Sequence, residues 1–187
     1  MEYVDLFDEE GRLLKHGVPR DEASDHTWLK EGTFIKVVHG IPLNSQGKIL
    51  IQRRSRKKAI WPGKWALLGG HVLQDETSEE ALLREFKEEY GLDARDAPRY
   101  MVCRIVHRIS HTLMEFWVIA IDVDLKKVIC EPSEVEQVRF VTPHELETIY
   151  LQADRWLPGE EPYRSIELDL FRHLLEIVDG LKSAEGD

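Results

Sequence analysis

Cysteine is scarce in this chain. Two thiols in 187 residues, Cys103 and Cys130, are too few for a disulfide framework or a cysteine-only metal site in a chain able to bury its own core. They read as reduced, ordinary thiols. No hydrophobic run approaches the ~20 residues that span a bilayer; the longest, over 33–38 and 116–121, are far shorter, and the opening Met-Glu-Tyr-Val-Asp is acidic rather than leader-like. The expectation is a cytoplasmic protein with no membrane partner. Positive charge is also in deficit, 25 Lys and Arg against 35 Asp and Glu for a net charge of −10, which argues against a nucleic-acid coat. A phosphate-binding role must therefore come from a local basic patch. No internal repeat, low-complexity tract or long Pro/Gly/Ser linker divides the chain.

What is present alternates between strand and helix signals. Tyr3, Val4, Leu6 and Phe7 face Leu13 and Leu14 across Asp8-Glu9-Glu10-Gly11, predicting an N-terminal hairpin over 2–15. A polar connection over 18–32 precedes a β-branched strand over 33–43, a turn at Asn44-Ser45-Gln46-Gly47 and a strand over 48–53. A short strand over 65–68 leads into Gly69-Gly70. Residues 77–90 carry helical spacing, opened by a Thr77/Glu80 capping box and closed by Gly91. Strands over 101–110, 114–123 and 136–141 lead to a short helix from Pro143 to about residue 151. Ile166, Leu170, Leu174, Ile177, Val178 and Leu181 recur at three and four residues, predicting an amphipathic helix over 162–181 that lies on the sheet. The division expected is one domain over 1–187, with a hairpin and connection over 1–32, a core over 33–151 and a helical extension over 152–187.

The informative segment is 69–92. On a helix, Glu85, Glu88 and Glu89 fall within an arc of about 100°, so their oxygens converge on one patch. Like charges so placed repel, and a divalent cation with a preference for hard carboxylate oxygens turns that cost into attraction. Arg84 stands beside Glu85 and one turn before Glu88, where a guanidinium holds a carboxylate in a fixed orientation. A solvated acidic helix face is the bland alternative. It leaves Gly70, Glu76, Arg84 and Gly91 at fixed offsets without a reason.

The pattern Gly70, five residues, Glu76, seven residues, Arg84-Glu85-Phe86, one residue, Glu88-Glu89, one residue, Gly91-Leu92 resembles a complete Nudix box. A chance match is on the order of 10⁻¹⁰ to 10⁻⁹ per starting position. The hairpin, the 47–55 stretch GKILIQRRS and Trp61-Pro62-Gly63-Lys64-Trp65 are similar to the Nudix branch that includes isopentenyl diphosphate isomerase. The resemblance covers roughly residues 2–146 and implies an α/β/α sandwich with a mixed β-sheet. It also implies Mg2+- or Mn2+-dependent hydrolysis of a nucleoside diphosphate derivative or another small diphosphate. Carried over by residue, Glu88, Glu89 and the Gly69 carbonyl hold metal, Glu85 is a ligand or the base that activates water, and Glu76 braces the loop. A further carboxylate is expected downstream, Glu134 first, then Glu136 and Glu115.

The remaining candidates are weaker. Arg53, Arg54, Arg56, Lys57, Lys58 and Lys64 form a basic stretch before the box that suits substrate phosphates, Arg53, Arg54 and Lys64 foremost; strand alternation sends Arg53 and Arg54 to opposite faces. Trp156 is the pocket candidate for stacking a base, whereas Trp61 and Trp65 read as packing. His71 reads as an ordinary hydrogen-bonding residue, and His107 and His111 have no metal-ligand spacing. Two other functions stay open. An isomerase is one, although Gly69-Gly70-His71 stands where that enzyme has its cysteine and Phe34-Ile35 where it has a Trp-His pair. A non-catalytic nucleotide-sensing module is the other. The acidic balance gives no support for a long RNA track and leaves an RNA cap within the substrate class; a homodimer also stays open.

Overall fold

The hydrophobic pattern of strand 49–54, Ile-Leu-Ile-Gln-Arg-Arg, shows how the layers are built, because consecutive side chains point to opposite faces of the sheet and both faces here are buried. The computed structural model describes residues 1–20, 29–59 and 61–151, together with residues 172 and 176. The elements are β1 (Tyr3–Phe7), β2 (Leu13–Pro19), β3 (Ile35–Leu43), β4 (Ile49–Arg54), β5 (Trp65–Ala66), β6 (Leu68–His71), α1 (Ser78–Tyr90), β7 (Arg99–His107), β8 (Thr112–Ala120), β9 (Val135–Val141) and α2 (Pro143–Leu151). A single 3-10 turn, Leu125–Lys127, lies between β8 and β9.

Strands β3 to β9 form one mixed sheet. Its path is β5-β4-β3-β8-β7, with β6 also on β3 and β9 also on β4. The β3–β8 ladder is parallel along its whole length, Ile35 against Thr112 through Leu43 against Ala120; the β3–β6, β4–β9 and β7–β8 ladders are antiparallel. On one face Val38, Leu50, Leu68 and Ile119 pack under Ala81, Leu82, Phe86 and Tyr90 of α1. On the other, Ile41, Ile49, Ile51, Phe116 and Val118 pack under Leu146, Ile149 and Tyr150 of α2. This is the expected α/β/α layering. The N-terminal hairpin is a separate two-stranded sheet that buries Val4, Leu6 and Val18 against Leu29 and Ile35.

Several boundaries differ from the sequence expectation, each for a local reason. β2 runs on to Pro19, because Val18 and Pro19 pair with Val4 and Tyr3. β7 ends at His107 instead of Ser110, since His107 Nδ1 accepts the Ser110 N–H at 3.1 Å and closes a turn. β8 ends at Ala120 instead of residue 123; Asp122 leaves the ladder to accept from the Ser45 N–H and hydroxyl, both at 2.9 Å. The strand expected over 65–68 is two, β5 and β6, and the second carries on through Gly69 and Gly70 to His71. The helix expected over 162–181 lies outside the described residues apart from Arg172 and Glu176, both helical. Arg172 reaches Glu147 of α2 at 3.2 Å.

Candidate functional site

The phase of α1 decides which carboxylates meet. Its first turn is closed reciprocally, the Glu80 N–H donating to the Thr77 hydroxyl at 3.2 Å and the Thr77 N–H to the Glu80 carboxylate at 2.8 Å. At its other end Gly91 adopts φ 67°, and its N–H returns to the Lys87 carbonyl. With Ala81, Leu82, Phe86 and Tyr90 turned into the core, Glu89 is carried inward with them, Arg84 and Glu85 reach β6, and Glu88 lies one turn on beside Arg84. The helix and β6 approach closely there. A Cβ on Gly70 would stand 1.9 Å from Glu85 Oε1, so only glycine leaves room for that carboxylate.

Arg84 is the hub of the cluster. Its Nε and Nη2 donate to the two oxygens of Glu76 at 2.8 and 3.0 Å, and its Nη1 donates to Glu85 at 2.6 Å and Glu88 at 3.1 Å. Nη2 also donates to the His71 carbonyl at 2.9 Å. Glu76 in turn accepts the Leu73 N–H at 3.0 Å. Two forked contacts of this kind set direction as well as energy. Burial works against the Arg84 charge, but the Glu76 and Glu85 partners outweigh it and hold the group protonated.

The carboxylates themselves are held against their preference. Burial pushes Glu85 up to about 7 despite Arg84, and the Glu88 and Glu2 charges push the same way. Glu89 is pushed up to about 8 by burial and by Glu85, opposed by the Gln52 side chain, the Arg54 charge and the Gly69 backbone. It is 4% exposed, and its Oε2 has no hydrogen-bond partner. A buried, half-satisfied carboxylate beside a second carboxylate costs stability. A hard divalent cation needs such oxygens, so the donor set fits one. Among the described residues no three His, Cys, Asp or Glu side chains already form a finished cage; Arg84 draws Glu85 and Glu88 instead.

Comparison with known proteins points to one family. A NUDIX domain model matches residues 33–163. An uncharacterised Nudix hydrolase of Listeria innocua is 34% identical over 150 residues, 80% of this chain and 85% of that one. The chain belongs to the Nudix hydrolases. An isopentenyl-diphosphate Delta-isomerase of Salmonella paratyphi B is 44% identical over only 54 residues, 28% of this chain and 30% of that one. In fold, a Deinococcus radiodurans protein of known crystal structure matches with a TM-score of 0.70 at 24% identity, covering 92% of this chain and 98% of that one.

Around the Nudix box the other candidates sort by contact. Arg54 lies on the helix face of β4, close enough for its charge to act on Glu89, while Arg53 lies on the other face, its Nε donating to the Gly63 carbonyl at 3.0 Å. Lys64 is tied through its backbone carbonyl to the Arg54 N–H at 2.9 Å. Glu134 is ion-paired to Lys58, and Glu136 to Arg53 at 3.5 Å and Arg56 at 3.7 Å. Their contacts are with the basic stretch, not with the box. Glu115 is buried and bound to Arg104 at 2.7 Å across β7 and β8. Trp156 lies outside the described residues. Trp65 packs on the α2-side core, and Arg139 stacks on it at 4.3 Å.

Gln52 is the residue that sequence reasoning missed. It is 1% exposed and meets Glu89 from the middle of β4. The signal was a polar side chain in phase with Leu50 in a strand buried on both faces. Cys103 pairs with Phe116 and packs on the α2-side core, across the sheet from α1. Burial pushes its thiol up, away from acid–base use near neutrality. No helix among the described residues is long and apolar enough to cross a membrane.

Proposed function

We propose that this Nudix protein is a divalent-metal-dependent hydrolase that cleaves the diphosphate linkage of a nucleoside diphosphate derivative or a related small diphosphate. The observation that carries the reading is the buried, unpartnered Glu89 oxygen set beside Glu85 and Glu88 on one helix edge. Glu88, Glu89 and the Gly69 carbonyl are the residues to hold Mg2+ or Mn2+, joined by Glu85 or, from outside the box, by Glu134. When bound, the ion supplies charge for the phosphoryl oxygens and a more acidic water.

The chain's own residues do the rest. Arg84, fixed by Glu76, aims Glu85 and Glu88; it stays protonated and so orients without titrating. Glu85, bonded to Arg84 and set against Gly70, is the box carboxylate placed to accept the proton of an attacking water. Arg54, on the box side of β4, supplies positive charge beside Glu89 for a diphosphate in a net acidic chain, whereas Arg53, on the opposite face and paired with Glu136, stands away from it. An isomerase reading draws on the 54-residue similarity, but its acid–base thiol has no counterpart at the box, and Cys103 lies across the sheet.

The test is phosphate release, coupled to phosphatase where needed, over nucleotide sugars, ADP-ribose, dinucleoside polyphosphates, nucleoside triphosphates, capped RNA and prenyl diphosphates. Turnover of at least one diphosphate with Mg2+ or Mn2+, abolished by EDTA, is expected. Isomerisation of a prenyl diphosphate without phosphate release, or nucleotide binding with no turnover anywhere in the panel, would overturn it.

A further inference from the structure

The N-terminal hairpin joins the main sheet by one isolated bridge, Phe7 with Phe34, and by packing, with Val4, Leu6 and Val18 against Ile35 of β3 and the Lys36 ammonium over the Phe7 ring. A two-stranded hairpin is marginal by itself. It also touches the loop between β6 and α1. The Gln74 N–H donates to the Tyr3 carbonyl at 2.8 Å, and Leu73 packs into the hairpin's apolar cluster of Val4, Leu6 and Val18. From β2, His16 bridges back to the same loop. Its Nδ1 lies 3.0 Å from Asp5, and its Nε2 lies 3.0 Å from Gln74 Nε2 and 3.4 Å from Asp75. Nδ1 donates to the Asp5 carboxylate, and Nε2 stands between the Gln74 amide and the Asp75 carboxylate. Asp5 also takes the Gly17 N–H at 2.9 Å, which locks the strand that carries His16. A Cβ on Gly17 would meet Gln74 Oε1 at 2.7 Å, so β2 sits directly on the glutamine.

The loop so held is conformationally expensive and chemically placed. Asp75 has φ 63°, in the left-handed region that a non-glycine residue enters only when its surroundings hold it there. One residue on, Glu76 bonds the Leu73 N–H and both forks of Arg84, and Arg84 aims Glu85 and Glu88. A chain of direct contacts therefore runs from Asp5 and His16 through Gln74 and Asp75 to Glu76 and Arg84.

We infer that the hairpin is a positioning element of the hydrolytic site, and that His16 and Gln74 are positioning residues which set the 73–76 loop and, through Glu76, the direction of Arg84. The inference rests on the hydrolase reading above for its kinetic consequence, and on the contacts alone for its structural one. Single contacts among half-exposed groups are weak, so the fold survives their loss; aim is more sensitive, because misplacement on the scale of an ångström slows a positioned reaction far more than it weakens binding.

The experiment compares His16→Ala and Gln74→Ala with wild type and with Arg12→Ala, which breaks only the hairpin turn's own ion pairs with Asp8 and Glu10. Two quantities are read on the full chain. One is kcat and KM on the best diphosphate of the panel; the other is solvent exchange of the Arg84 Nε–H in 15N spectra. Expected in both positioning variants is a fall in kcat of about tenfold with KM changed less than about twofold. Arg84 Nε–H exchange should be faster, Arg12→Ala should match wild type, and His16→Gln should recover part of the loss. Wild-type kcat together with an unchanged Arg84 signal in both variants would overturn the inference. If wild type itself hydrolyses nothing, the hydrolase reading fails and the Arg84 exchange comparison alone decides this one.

Discussion

Replacing Glu89 with glutamine should make the metal-free protein more stable and remove its catalysis, a pairing that a merely structural glutamate would not show. In the folded chain burial pushes this carboxyl from 4.5 to about 8. The unfolded chain releases the proton first as pH rises, so the wild type loses stability from about pH 4.5 upward until the folded carboxyl itself ionises near 8. At pH 7 the separation from 4.5 amounts to about 3 kcal/mol, at about 1.4 kcal/mol per pH unit. Glutamine keeps the shape, carries no proton to lose and escapes this cost. The assay is thermal unfolding in EDTA at pH 4, 5.5 and 7. The Glu89→Gln variant should unfold with the wild type at pH 4 and about 6 to 12 °C above it at pH 7, from the usual 2–4 °C per kcal/mol at this size. With Mn2+ added, the wild type should gain stability and the variant should not. A variant less stable than wild type at pH 7, or a difference that ignores pH, would refute the reasoning.

Three further outcomes follow from the same geometry. Arg84→Lys loses the forked contact with Glu76 and should cut kcat about 10²-fold while circular dichroism stays native; a near-wild-type rate would show that the fork does not aim the carboxylates. Gly70→Ala drives a methyl into the space of the Glu85 carboxylate, 1.9 Å away, and should likewise reduce kcat at least about 10²-fold; wild-type kcat would mean that Glu85 works elsewhere. Cys103→Ala should be kinetically silent on every diphosphate, since the thiol packs on the α2 side of the sheet; a large loss on a prenyl diphosphate would revive the isomerase reading.

The parts of this protein that could be read before folding are those written in a single helical or strand period. Arg84, Glu85, Glu88 and Glu89 share one helix edge because 3.6 residues make a turn, whatever the rest of the chain does. Thr77, Glu80 and Gly91 bound that helix through contacts at most four residues apart. The opposite directions of Arg53 and Arg54 came from the two-residue period of a strand. What escaped depends on partners distant in sequence. Gln52 matters through Glu89, far along the chain, and only the packing of α1 over β4 brings them together. Glu115 looked available until the β7–β8 register gave it Arg104. Strand ends at His107 and Ala120 moved because Ser110 and Asp122 found hydrogen-bond partners off the ladder. The hairpin was visible, but its seat on the 73–76 loop was not.

The central claim is that the box carboxylates form a divalent-metal centre, and the most direct measurement is a Mn2+ titration followed by electron paramagnetic resonance. Free Mn2+ gives a sharp signal that vanishes on binding. Wild type should deplete that signal with saturable stoichiometry, while Glu88→Gln and Glu89→Gln should leave most of it free over the same range. Equal depletion by wild type and both variants would place the metal elsewhere and contradict the account.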